Sequence, residues 1–275
     1  MMDLYTATAY DTSRQLTKAF STSFSQSSKL FPKHMRAAIY AIYGMVRVAD
    51  EIVDTYRGED APEVLTALEQ ETYLAIERGY STNPLLHAFA HTARTYAIDE
   101  SLIAPFFASM RHDLTPPAQL SQAAFETYIH GSAEVVGLMC LKVFCKDNAE
   151  RYAELETGAK ALGSAYQKVN FLRDIGEDWA VLGRMYFPGL STLNELTEAK
   201  KHAIIADIEQ DFALADAAIN QLPPEAKKAV RLSYRYYKQL LAKIQHTPAE
   251  ALHTTRVRLP DYKKLFLLAQ VRLGI

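Results

Sequence analysis

Apolar residues recur at three- and four-residue spacing along almost the whole chain. That period fits one regular structure, a helix with one face turned to a core, and the two-residue alternation of half-buried strands is hard to find. The chain therefore reads as all-α. Helices are predicted over 8–29, 34–57, 62–79, 84–96, 99–112, 121–145, 148–181, 195–221, 223–246 and 261–273. Pro32, Pro62, Pro84, Pro223 and Pro260 fall between these segments or in a first turn, where the missing N–H costs nothing. Ser121, before QAAFE, and Asn148, before AERYAE, are placed to cap helix starts.

No Gly/Ser-rich linker, composition shift, low-complexity run or internal repeat divides the sequence, so residues 1–275 are predicted to form a single domain, a helical bundle. Hydrophobic residues make up 49% of it, enough for a large core. A formal net charge of −2 leaves no cationic excess to displace counterions from a phosphate backbone, which argues against a nucleic-acid partner. There is no uninterrupted apolar run of about 18 residues that would suggest a spanning helix. The first residues show no basic start followed by a hydrophobic block, so no secretory leader is read. The two cysteines, Cys140 and Cys145, diverge on a helix and are expected to stay free, in keeping with a cytoplasmic location.

Two predicted helices break the core pattern. In 37–56, AAIYAIYGMVRVADEIVDTY, an apolar stretch ends in Arg47, Asp50, Glu51 and Asp54; in 163–188 the same happens with Gln167, Asn170, Arg173, Asp174, Glu177 and Asp178. Residues four apart share a helical face, so Asp50 and Asp54 form one ladder and Asn170, Asp174 and Asp178 another. One such ladder is ordinarily a solvated face. Two, each embedded in an apolar helix, suggest carboxylates facing each other across a cavity with hydrophobic walls. Converging carboxylates raise one another's pKa unless cations neutralise them. Oxygen-only donors suit a hard divalent ion such as Mg²⁺, with Mn²⁺ as a substitute, which completes its shell with water and substrate phosphates. Arg47, Arg173 and Arg184 lie near the ladders and are candidates for phosphate oxygens. The implied substrate is a phosphate ester with a greasy remainder.

At these residues the sequence resembles the squalene/phytoene synthase family of head-to-head prenyl transferases. YAIYGMVRVADEIVD (40–54) and YQKVNFLRDIGEDWAVLGRMYFP (166–188) match its two acidic blocks, STSFSQSSKLFP (21–32) its SxSF segment, and SYRYYKQLL (233–241) its late tyrosine helix. The resemblance implies an isoprenoid-synthase-like bundle around a central hydrophobic cavity. It also implies Mg²⁺ ligation by Asp50, Asp54, Asn170, Asp174 and Asp178, and contacts to diphosphates or reacting chains from Ser21, Ser23, Tyr43, Arg47, Gln167, Arg173 and Tyr237. The family joins two isoprenyl diphosphates through a cyclopropylcarbinyl diphosphate. Glu51 stands where many relatives have a second Asp, and Phe20 supplies no polar group beside Ser21. Ser28, one turn beyond Phe24, is small where dehydrosqualene-forming relatives carry a bulky aromatic, which favours geranylgeranyl substrates and phytoene. NADPH, which squalene formation needs, is not expected. The alternatives are a farnesyl-using C30 synthase, a single-substrate cyclase, and a silent relative acting as a scaffold; retention of both ladders argues against the last.

Three further features have ordinary readings. His87 and His91 lack a third ligand and read as packing histidines. Gly131, Ala133 and Gly137 mark either tight helix packing or a thinned helix beside a prenyl tunnel. Arg256, Arg258, Lys263 and Lys264 form a solvated basic cluster, a cap over the site, or a contact to anionic lipid. Lipidic substrates are compatible with peripheral contact at a membrane surface; the oligomeric state is not legible.

Overall fold

The computed structural model describes residues 3–56, 58–116 and 119–273. All regular structure among them is helical, as the periodicity requires. Helix α1 (Leu4–Phe20) starts at Asp3, whose carboxylate accepts from Thr6 N. The segment predicted as one helix over 8–29 is broken at Ser21, which turns extended and offers its hydroxyl to Phe24 N, starting α2 (Thr22–Ser28). Pro32 precedes α3 (Lys33–Asp50). Then come α4 (Ala61–Arg78), closed by Gly79 at φ +70°, α5 (Pro84–Tyr96), and α6 (Glu100–Leu114). Next follow α7 (Gln122–Ile129), α8 (Val135–Phe144) and α9 (Ala149–Glu177), and after them α10 (Glu198–Gln221), α11 (Pro224–Gln245), the unpredicted α12 (Ala249–Leu252) and α13 (Asp261–Leu273).

Three predicted helices are not α-helical throughout. The helix that begins with α3 continues as a π-helical segment, Glu51–Tyr56; α7 and α8 are joined by another, His130–Glu134; and α9 runs into a third, Asp178–Leu182, which ends at Gly183 with φ +65°. The predicted end of the first of these at 57 lies outside the described residues. π-Turns cost hydrogen-bond geometry and concentrate at functional sites. Here two of the three carry acids of the ladders.

The long helix α9 is the axis of the fold, packed on α8, α10, α11 and α12, while α3 packs on α1, α5 and α8. Small residues let α9 come close to its neighbours: a Cβ on Gly163 would lie 2.7 Å from Ala133 O, and one on Gly137 would lie 2.9 Å from Ala159 O. Gly131 is pressed on Pro105 O in the same way, so tight packing explains this run of glycines. The buried side chains form two main sets, and a cavity of about 300 Å³ lies within the first, lined by its members Phe31, Ile39, Leu141, Leu155, Ile219 and Val230. No described helix is long and apolar enough to cross a membrane.

Candidate active site

The cavity is walled by α2, α3, α8, α9, α10 and α11, and its lining is almost wholly apolar. Along α9 the lining residues are Leu155, Gly158, Ala159, Leu162, Gly163, Tyr166, Gln167 and Asn170, one helical stripe that changes from apolar to polar toward its C-terminal end. On α3 the stripe is Ile39, Tyr43 and Val46. One turn beyond Asn170 stands Asp174, and one turn beyond Val46 stands Asp50. The apolar cavity therefore ends at the acids.

The π-turns alter the ladders that an ideal α-helix would give. Asp54 lies within one and Asp178 begins another, so neither continues the α-helical face of Asp50 or Asp174 in strict register. Arg184 joins the two. Its Nη1 donates to Asp54 Oδ1 at 2.6 Å, its Nη2 to Val53 O at 2.9 Å and Asp113 O at 2.8 Å, and its own backbone N to Asp178 O at 3.1 Å. This guanidinium is only 4% exposed. The residue expected to bind substrate phosphate is thus occupied by protein acceptors, and holds the end of α3's π-segment against the ends of α6 and α9.

Below Arg184 lies Asp113, which the sequence reading missed. Its carboxylate accepts from Tyr128 OH at 2.7 Å and Tyr186 OH at 3.0 Å, and stands 3.9 Å from Arg184 Nη1. Burial pushes Asp113 up to about 6, against the pull of Arg184. A signal existed in the sequence: Asp113 continues the stripe Ile103, Phe106, Met110 that α6 buries, and an acid in phase with a core face needs a partner.

The acids at the mouth are strained electrostatically. Burial, then repulsion from Asp54, raises Asp50 to about 7; burial, then Asp174 and Asp54, raises Asp178 to about 7. Arg184, bonded to Asp54 Oδ1 and through its backbone N to Asp178 O, ties the ends of the two acidic segments together. The remaining acids are matched by cations. Asp174 accepts from Arg173 Nε at 2.8 Å and pairs with Arg256 Nε at 2.9 Å, and Arg256 also donates to Glu177 at 3.1 Å. Arg256 thereby leaves the solvated basic cluster and caps the mouth. Arg47 pairs with Glu51, lies 4.0 Å from Asp50, and sits 4.4 Å above the Phe20 ring, which gives that apolar residue a role beside Ser21.

The other expected site residues divide. Tyr43, stacked 5.1 Å from Phe24, and Gln167, Asn170 and Tyr237 all line the cavity; Tyr237 stacks on Tyr166 at 3.9 Å and donates to Asn170 Oδ1 at 3.3 Å. Ser21 is spent capping α2, and Ser23 is partly buried on α2 without lining the cavity. Ser28 is buried but is not a lining residue; Ser27 and Phe31 occupy that wall instead. The position used to favour long chains therefore does not itself face the cavity. His87 and His91 hold Thr6 and Tyr10 by hydrogen bonds, as packing residues would.

The donor set fits a hard divalent cation. Asp50, Asp54, Asp174 and Asp178 with Asn170 offer only oxygen, and the raised Asp50 and Asp178 show charge awaiting neutralisation. Among the described residues no three His, Cys, Asp or Glu side chains are gathered closely enough to hold a metal ion by themselves. An open set of this kind is what Mg²⁺ takes when substrate phosphates supply much of its shell.

Comparison with known proteins agrees with this arrangement. The family model described as squalene/phytoene synthase matches residues 17–263. A phytoene synthase of Arthrospira platensis is 28% identical, over 96% of this chain and 93% of its own. A 4,4'-diapophytoene synthase of Staphylococcus haemolyticus is also 28% identical, over 74% of this chain and 68% of its own, and a presqualene diphosphate synthase of Rhodopseudomonas palustris is 26% identical, over 81% and 83%. The crystal structure of a dehydrosqualene synthase superposes with a TM-score of 0.84 at 21% identity, covering 98% of this chain and 97% of that one. With two acidic segments meeting at the end of an apolar cavity, and a match that spans nearly all of the sequence, the chain belongs to the squalene/phytoene synthase family and is a prenyltransferase of head-to-head condensation.

Proposed function

We propose that this protein joins two geranylgeranyl diphosphates to form phytoene. The observation that carries the reading is how far the cavity lining extends along α9. Its stripe on α9 runs from Leu155 to Asn170. That stretch rises about 22 Å along the helix axis, which suits an extended C20 prenyl chain of about 20 Å, whereas a C15 chain of about 15 Å would leave the far end empty.

Diphosphates would lie at the acid-lined mouth and hydrocarbon tails along α9. Mg²⁺, or Mn²⁺ in its place, held by Asp50, Asp54, Asn170, Asp174 and Asp178, would balance the charge that grows on the departing diphosphate. Arg173 and Arg256, now on Asp174 and Glu177, can exchange carboxylate for phosphate oxygens, and Arg47 faces the same region. The rings of Tyr43 and Tyr237 lie at the polar end of the lining, where an aromatic face stabilises a cation left behind by ionisation. The apolar walls exclude water, which would protect that cation while the double bond of the second prenyl diphosphate adds to it and loss of a proton closes the cyclopropylcarbinyl diphosphate, and would protect the cation formed when that product ionises and rearranges. Final loss of a proton needs no hydride donor, so NADPH has no part.

The test is the mass of the hydrocarbon made by purified protein with Mg²⁺ and either geranylgeranyl or farnesyl diphosphate, with and without NADPH. A C40 hydrocarbon from geranylgeranyl diphosphate supports the reading. Product from farnesyl diphosphate alone, with geranylgeranyl diphosphate inert, assigns the C30 alternative; product with one substrate's carbon count assigns a cyclase.

A further inference from the structure

Helix α13 is apolar on two opposite faces, and the fold covers only one. Its inner face places Leu267 and Val271 against Leu232 and Tyr236 of α11. Its outer face carries Tyr262, Leu265, Phe266 and Leu273, which are 68%, 58%, 62% and 75% exposed, with Ala269 among them. At 100° per residue these five share one arc, bordered by Lys263 on one side and Arg272 on the other. We propose that this face of α13 docks the protein on the surface of an anionic bilayer.

Three observations select that occupant. The charge is right: α13 bears Lys263, Lys264 and Arg272 against a single acid, Asp261, which is already paired with Lys264 at 3.2 Å. Basic side chains at the borders of an apolar face can reach lipid phosphates while their stems lie in the interface. The area is wrong for a protein partner. One exposed helical stripe about 20 Å long offers only a few hundred Å², below the roughly 800 Å² per side of a stable interface. The location is apt. Tyr236 OH shares its one proton between Lys264 O of α13 (3.2 Å) and Gln26 Oε1 of α2 (3.3 Å), and α2 supplies Phe24 and Ser27 to the cavity wall. Lys264 Nζ also reaches Thr22 Oγ1 at 3.5 Å. The bare face is thus fixed to the element that closes one side of the cavity. The inference stands on the helix itself; the prenyl reading of the cavity supplies only its use, transfer of greasy substrate and product without crossing water.

The experiment is flotation of the protein with vesicles of pure phosphatidylcholine or of phosphatidylcholine with about 30% phosphatidylserine, whose anionic surface attracts basic helices. The native protein is expected to float with the anionic vesicles and to be released by high salt. The Leu265→Ser/Phe266→Ser variant should lose at least about tenfold in bound fraction, with an unchanged melting temperature and unchanged turnover of detergent-dispersed substrate. Equal flotation of native and variant protein overturns the proposal, as does absence of native flotation. A concentration-dependent dimer in sedimentation that the variant abolishes overturns it in favour of a second copy. If the proposed condensation is wrong, native turnover in detergent fails while flotation still succeeds, so the two failures are separable.

Discussion

Replacing Arg184 by Met removes a buried cation while keeping much of the side-chain volume. In the native fold this guanidinium serves Asp54 Oδ1, Val53 O, Asp113 O and Tyr186 OH, at 2.6, 2.9, 2.8 and 3.3 Å. The variant leaves two carbonyls, the Asp54 carboxylate and the Tyr186 hydroxyl without their donor, and the Asp113 carboxylate without the cation 3.9 Å away. Breaking a buried ion pair from one side costs about 3–5 kcal/mol, which for a chain of this size lowers the melting temperature by roughly 6–20 °C. The cost depends on pH with a definite sign. The electrostatic part of what Arg184 contributes is present only while neighbouring carboxylates are ionised, and burial places Asp113 at about 6 and Asp178 at about 7. The gap between native and variant should therefore be widest near pH 8 and shrink as pH falls through 7 and 6. Thermal unfolding of the metal-free proteins at pH 8 and pH 5.5 measures it. A variant that melts like the native protein at both pH values, and shows only a raised KM, would refute the reasoning and return Arg184 to direct phosphate binding.

Other outcomes follow from the same geometry. Asp50 and Asp178 are held near 7, above the ordinary carboxylate range, so the native state binds more protons than the unfolded chain between the two values. Metal-free protein should lose stability as pH rises from about 5 to 8, and Asp178→Asn should flatten that slope; a steeper slope in the variant contradicts the assignment. Ala159 lines the cavity eleven residues before Asn170, about 16 Å along α9. Ala159→Phe should therefore block C20 tails and shift preference toward farnesyl diphosphate, read as the product mass from mixed substrates; unchanged preference means the tails do not run along α9. Gly163→Val drives a side chain onto Ala133 O, where a Cβ alone would come within 2.7 Å. It should destabilise by more than about 2 kcal/mol in chemical denaturation, and a neutral result would show that the α9 contact is not close.

The helical class was legible because period and proline placement agree along the chain, and α13 begins and ends where the pattern says. The break at Ser21 was not, since a serine inside an amphipathic run signals a cap only when the backbone turns extended there. The π-turns were also hidden. Their sequences keep helical periodicity, and only tertiary contacts such as Arg184 on Val53 O reveal the added residue in the turn. For the site, spacing put Asp50 and Asp174 on the same helical stripes as the cavity lining, each following a lining residue by one α-turn. Spacing could not tell that Arg184 faces inward, or that Asp113, far away in sequence, lies beneath it. Such pairings are set by how α6 and α9 cross, and charge type alone does not encode that. Ser28 shows the same limit: one turn from Phe24 on the helix, it is buried but is not among the residues that line the cavity, as Ser27 and Phe31 are.

The central claim is that the two acidic segments form one metal-dependent diphosphate site at the end of the apolar cavity. It is tested most directly by calorimetric titration of the protein with a geranylgeranyl thiodiphosphate that resists ionisation, in Mg²⁺ and in chelator. The account predicts tight binding in Mg²⁺ that is lost in chelator, and lost equally when either Asp50→Asn or Asp174→Asn is introduced in a protein that still melts cooperatively. Binding that persists undiminished in chelator, or that survives either substitution, contradicts it.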